Sequence, residues 1–257
     1  MLARVASATR ASNDGMSRSG GDTETGVRQR SGWLIPLGVF LVTAALSAMF
    51  LLFYLAPGPT SFIEEHPAPT SRTDPVSVTV DGASFTIPAN YFIYRSARQG
   101  GAHKEVALFT TLPNFRGYSD WYSQDFTDNT ADSPLVNLLI REEELNLGEA
   151  ERLQRIYLNY VVDPKGKPGP FGLTKFTFRD DSGYRGEDLL VGHLDRHLVV
   201  LRCVRLTEKV PSPSCLRDVR LARGVALSYR FKRAHLVHWQ DIAGGVEALV
   251  RSFRTHK

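Results

Sequence analysis

Apolar positions fall into different regimes along the chain. Residues 33–56 carry no charged side chain and form one continuous apolar run. At about 1.5 Å per residue this stretch is about 36 Å long as a helix, enough to cross a ~30 Å hydrocarbon core, so it predicts a single transmembrane helix. Residues 1–32 are rich in Ser, Gly, Thr and Arg without apolar periodicity, which predicts a disordered tail, with Met16 as a second candidate start. Residues 57–75 contain Pro57, Pro59, Pro67, Pro69 and Pro75, a density that favours an extended, semi-rigid stalk.

From residue 76 the pattern becomes that of a folded domain, residues 76–257. Val76, Val78 and Val80 alternate with polar residues up to Asp81-Gly82, and Phe85 and Ile87 alternate beyond it. Asp-Gly accepts the positive φ values of a type I′ turn, so the pair of runs predicts a β-hairpin ended by Pro88. Residues 91–94 could continue its second strand after a kink. Val106, Leu108, Thr110 and Leu112 predict a half-buried strand, and residues 135–140 a strand apolar on both faces.

The period then switches. Leu153, Ile156, Tyr157, Tyr160 and Val161 share one helical face, predicting a helix over 149–162 that ends at the Pro- and Gly-rich segment 163–170. Strands follow over 171–179, 187–192 and 197–205, and alternation of Val225, Leu227, Tyr229 and Phe231 predicts the last one. Leu236, Trp239, Ile242, Val246, Val250 and Phe253 line one face of a closing helix. Gly244-Gly245 inside it costs about 2 kcal/mol relative to two alanines, which points to close approach of another element or a kink. The elements sum to an α+β fold: an N-terminal transmembrane helix, then a largely antiparallel sheet with one inserted helix and a C-terminal amphipathic helix.

Charge changes the picture in one respect. The 257 residues carry a net charge of +4, but residues 1–75 are balanced and no basic stripe appears in the remainder, so nucleic acid is not an expected partner. Arg28 and Arg30 precede the apolar run, and Arg72 is the one Arg or Lys in 57–75. That asymmetry predicts a cytoplasmic N-terminus and a periplasmic C-terminal domain at a bacterial inner membrane. A cleaved signal peptide fits less well, because its apolar region spans 7 to 15 residues. Ala44 and Ala48 form a small-xxx-small pair that could bring two spans together as a homodimer, although a lipid-facing helix needs no such contact.

An oxidising compartment makes Cys203 and Cys215 a disulfide candidate, and no Cys-x-x-Cys redox motif is present. His193 with His197, and His235 with His238, have ligand-like spacing but lack third and fourth ligands, so neither a metal nor a cofactor is expected. Nucleophile-elbow, Ser-x-x-Lys, dinucleotide and P-loop motifs are absent. Glu142-Glu143-Glu144 reads as a solvated strand edge. Tyr118, Trp121, Tyr122 and Phe126 form a dense aromatic group outside the expected core, suited either to packing over the sheet or to an envelope protein or glycan partner.

The segments Ile87-Pro88-Ala89-Asn90-Tyr91 and Asp181-Ser182-Gly183-Tyr184 with Gly186-Glu187, together with the run from Cys215-Leu216-Arg217-Asp218-Val219 to Tyr229-Arg230-Phe231, resemble uncharacterised proteobacterial proteins with one N-terminal span. That resemblance implies the topology above and no activity. The expected function is a non-enzymatic, membrane-anchored periplasmic domain that binds a protein or envelope partner. A cell-envelope hydrolase whose site assembles only in three dimensions is the alternative.

Overall fold

A computed structural model of the chain describes residues 32–55, 65–145 and 147–255. The chain divides into two units at Glu64 and Glu65. The expected tail and the first half of the expected stalk lie outside the described residues.

In the first unit, α1 spans Leu34–Leu55. Its segment Leu34–Leu52 has a mean hydropathy of 2.3 and is long and apolar enough to cross a membrane. Thr43 donates its hydroxyl to the Val39 and Phe40 carbonyls at 2.8 and 3.0 Å, so this polar group is satisfied inside the helix.

The second unit opens with the hairpin of β1 (Pro75–Val80) and β2 (Ala83–Pro88). Asp81 and Gly82 adopt φ values of 41° and 77° at its turn. The short β3 (Gly101–Ala102) adds to β1 in parallel. Residues 89–91 form a 3-10 turn rather than continuing β2, because Phe92 swings across to bridge Leu108. Residues 65–74 run along this part of the unit, where the Ala68 amide donates to the Ile93 carbonyl at 2.9 Å.

Eight further strands make the main sheet: β4 (Glu105–Thr111), β5 (Leu135–Glu142), β6 (Lys167–Pro168), β7 (Thr174–Thr177), β8 (Glu187–Leu194), β9 (His197–Val204), β10 (Ser214–Ala222) and β11 (Val225–Lys232). Their order is β4-β5-β11-β10-β9-β8-β7-β6, antiparallel at every junction. With α2 (Glu149–Arg155) and α3 (Trp239–Phe253), this is the α+β architecture that the periodicity predicts.

Alternation sorts the side chains onto two faces. On one face, Val106, Leu108, Val136, Leu138, Ile140, Leu227, Tyr229, Val199 and Leu201 are buried together with the hairpin residues Val78, Phe85 and Ile87 and with Trp239, Ile242, Val246, Val250 and Phe253 of α3. On the other face, Phe176, Leu189, Val191 and Val200 pack with Tyr157 and Val161 of the α2 region. That second layer covers the β7–β9 half of the sheet.

Three further expectations are corrected. The helix over 149–162 is α only to Arg155. Asn159 Nδ2 donates to the Arg155 carbonyl at 2.9 Å, and a 3-10 turn then carries Tyr157 into the second layer. The strand over 171–179 is confined to Thr174–Thr177, because Phe171 has a φ of 54° in a turn beginning at Pro170. Strand β10, absent from the expected set, lies centrally between β9 and β11.

Cys203 and Cys215 form the expected disulfide, directly opposite each other on β9 and β10. Bridging residues twelve apart could contribute about 3 kcal/mol through loop-closure entropy.

The glycine pair in α3 resolves into one constrained position and one open position. A Cβ on Gly245 would lie 2.0 Å from the Phe115 ring, whereas one on Gly244 would have Leu194 as its nearest neighbour at 3.7 Å. Gly245→Ala is therefore expected to destabilise the full chain in detergent by about 1–3 kcal/mol through overpacking. Gly244→Ala should be neutral or stabilising by up to about 1 kcal/mol. Denaturant unfolding of both variants checks the pair.

Candidate partner-binding surface

The four aromatic residues singled out by the sequence lie in the 113–134 connection between β4 and β5, and the fold divides them into two pairs. Phe109 of β4 projects from the face opposite α3, and Tyr118 and Phe126 pack against it. Ring centroids are 6.3 Å apart for Phe109 with Tyr118, 4.7 Å for Phe109 with Phe126 and 5.2 Å for Tyr118 with Phe126, all edge-on. Edge-to-face contacts of this kind favour a fixed arrangement over a sliding one. Trp121 and Tyr122, on the intervening 3-10 turn, point outward and are 93% and 50% exposed. Arg116 sits 5.8 Å above the Tyr122 ring centroid.

This connection is held at several points. Asn90 accepts the Tyr118 amide at 2.8 Å on its carbonyl and donates its own Nδ2 to the Tyr118 carbonyl at 3.1 Å. A Cβ on Gly117 would meet the Asn90 side chain at 2.6 Å, so glycine is required for that approach. Farther along, Lys232 Nζ donates to Asn129 Oδ1 at 2.7 Å, and His235 Nε2 donates to the Asp132 and Ser133 carbonyls at 3.0 Å. Trp121 is therefore presented on a backbone already fixed to β11 and to the turn preceding α3.

Beside this connection, the sheet face over β4, β5, β11 and β10 forms an open concavity of about 450 Å³. Its floor includes Asn137, Leu139, Leu216 and Arg230, and its rim toward α2 is charged. Arg152 contacts Glu143 at 2.8 Å and Asp218 at 3.3 Å, while Arg202 contacts Glu187 at 3.0 Å. Asp218 also accepts a hydrogen bond from Ser228. Arg230 is exposed and has no carboxylate partner among the described residues. The expectation of a solvated Glu142-Glu143-Glu144 edge is corrected at its middle member, since the Glu143 side chain is 10% exposed and paired with Arg152.

A second polar cluster lies where β9 and β10 part. Their ladder has two residue pairs, Cys203 with Cys215 and Arg202 with Leu216. Beyond it the first residue of α2 enters the gap, and Glu149 accepts the Val200 amide at 3.0 Å. Arg217, 1% exposed, donates to both Glu149 oxygens at 2.9 and 2.8 Å, to Glu247 of α3 at 2.9 Å and to the Tyr229 hydroxyl at 3.3 Å. Burial works against the Arg217 charge, but the Glu149 carboxylate more than offsets it, and its pKa lies above the ordinary arginine value. Burial pushes the Tyr229 phenol up to about 12 despite the neighbouring guanidinium. A cavity of about 550 Å³ opens over this cluster. Glu149, Arg217 and Tyr229 spend their polar atoms on one another and on the Val200 amide, which is what structural groups do.

The first histidine pair does not converge, whereas His235 and His238 line one concavity with Asp241. His193 pairs with Leu198 and His197 with Leu194, which puts the two imidazoles on opposite faces of the hairpin. His235 is occupied with the two loop carbonyls. Among the described residues, no group of three His, Cys, Asp or Glu side chains is placed to hold a metal ion.

Neither the open face nor the Arg217 cluster is evident from sequence alone, because both depend on β10. The available signal is the period-two run of Cys215, Val219 and Leu221, which Arg217 interrupts at an inward position. Replacing Arg217 by Met leaves the half-buried Glu149 and Glu247 without their cation and is expected to cost about 2–4 kcal/mol. Arg217→Lys should recover little of this, since an ammonium cannot reproduce the bidentate contact. Denaturant unfolding of both variants in detergent is the check.

No protein-family model and no curated protein matches the chain. Among solved structures, the Stenotrophomonas maltophilia protein Smlt3025, an immunity protein of a type IV secretion system, superposes with a TM-score of 0.51 at 16% identity, covering 72% of this chain and 94% of its own. The Neisseria meningitidis iron-regulated outer membrane lipoprotein FrpD gives a TM-score of 0.45 at 13% identity, over 75% of this chain and 98% of its own. The likeness to Smlt3025 is one of fold.

Proposed function

We propose that the folded unit is a non-enzymatic, membrane-anchored domain on the periplasmic side of a bacterial inner membrane, and that it binds a protein partner through Trp121, Tyr122 and the adjoining open sheet face. The observation that carries the reading is Trp121, 93% exposed on a connection pinned by Asn90, Lys232 and His235. A large aromatic side chain kept in solvent on a pinned backbone gains nothing for the isolated fold, whereas binding can bury it without ordering the connection anew. Tyr118 and Phe126 act as the anchor of that presentation rather than as contacts.

The remaining parts of the proposal have separate supports. Arg28 and Arg30 before α1 favour a cytoplasmic tail over 1–32, and the tether is confined to the segment before Glu65, where the second unit begins. The Cys203–Cys215 disulfide suits an oxidising compartment. An immunity protein of a secretion system has the same fold, which is compatible with work done by protein recognition.

A photo-crosslinking residue at Gln124, on the same turn, tests the surface in cells, with one at the exposed Asp180 as control. A discrete adduct is expected from position 124 and not from 180. Trp121→Ala with Tyr122→Ala should weaken it about tenfold or more, as loss of a hot-spot aromatic would. An adduct unchanged by the double substitution, or equal labelling from 180, would contradict the proposal.

A further inference from the structure

A separate cavity of about 520 Å³ lies where the chain enters the second unit, lined by Thr70, Arg72, Asp74, Arg95, Arg98 and Gln99 among others. Its lining carries three guanidinium groups and one carboxylate. Asp74 is already committed to Arg72, with contacts at 2.6 and 2.7 Å. The Arg95 side chain has no partner among the described residues, and Arg98 makes one long contact, at 3.3 Å, to the Phe92 carbonyl. Glu65 nearby adds a second carboxylate whose charge acts on Arg98 while its oxygens accept the Ser96 amide at 2.6 Å and the Ser96 hydroxyl, so three cations face two anions.

Three guanidiniums sharing one concavity repel one another. Partial burial lowers the Arg98 pKa, Glu65 opposes that effect, and the like charges of Arg95 and Arg72 add to it. An anion placed there would relieve the repulsion and would find planar donors suited to two oxygens at once. Thr70 and Gln99 supply neutral polar groups beside them.

We propose that this cavity is a binding site for a phosphate group, held chiefly by Arg95 and Arg98 with Arg72 at its rim. A phosphodiester headgroup of an anionic lipid and free phosphate offer the same chemistry.

The test uses the full chain in two settings. In neutral maltoside micelles, calorimetric titration with inorganic phosphate, against chloride at equal ionic strength, reads binding of the free anion. In nanodiscs of phosphatidylcholine, with and without phosphatidylglycerol, amide exchange over residues 95–99 reads engagement of an anionic headgroup. Binding in micelles without added protection in phosphatidylglycerol identifies free phosphate as the ligand. Added protection in phosphatidylglycerol identifies the lipid. In either case, Arg95→Gln with Arg98→Gln should weaken the response about tenfold or more, and the exposed control Arg185→Gln should not. Arg95→Gln alone, at an exposed position, guards against misfolding and should give a partial loss. No response in either setting, or an unchanged response in the double variant, would overturn the site.

Discussion

The arrangement of the second unit depends on one buried cation. Arg217 is taken out of water at the centre of the sheet, and such a group is tolerated only when its charge and its donors are met. Glu149, Glu247 and the Tyr229 hydroxyl meet them, and they come from α2, α3 and β11. One side chain therefore ties both helices to the sheet. The same contact explains why β9 and β10 pair over only two residues: the Glu149 carboxylate takes the Val200 amide that a continuous ladder would have taken. The Cys203–Cys215 disulfide closes the point from which the strands diverge.

This wedge also decides which surface is left for function. With α2 seated at the β9–β10 opening, its following turn covers the β7–β9 half of the sheet, and the half over β4, β5, β11 and β10 stays uncovered. The buried Arg217 cluster, which a hydrolase reading would single out, has its donors and acceptors paired internally. The exposed Trp121 has no such internal use, and Tyr122 is met by Arg116 on one ring face. The proposed recognition rests on this surface, where Trp121 and Arg230 remain uncommitted.

How much of this could be read from sequence varied with how cleanly a segment shows one period. The Asp81-Gly82 hairpin, β11 and the apolar face of α3 have uninterrupted patterns, and they occur where the patterns place them. The disulfide followed from compartment and count. Strand β10 was not legible, because Arg217 and Asp218 put charge on both faces and the contacts that make an inward arginine acceptable come from residues 149 and 247, far away in the chain. The end of α2 was missed because Tyr157, Tyr160 and Val161 fit a helical face equally well, while packing on Phe178 and Tyr184 draws them into a tighter turn. At the candidate surface, composition identified the aromatic group. Which members anchor the connection and which face out was settled by the position of Phe109, on a strand the connection itself leaves.

Hydrogen exchange at the Val200 amide most directly tests whether the Glu149–Arg217 cluster is spent on holding the fold rather than free for chemistry. In the full chain, Val200 should exchange as slowly as the Leu201 amide in the same strand, although β10 does not pair with it there. Glu149→Ala should then accelerate Val200 at least about tenfold more than Leu201, as a local opening would. Rapid Val200 exchange in the unaltered chain, or protection that survives Glu149→Ala, would show that the carboxylate does not close the strand gap and would leave it available for another role.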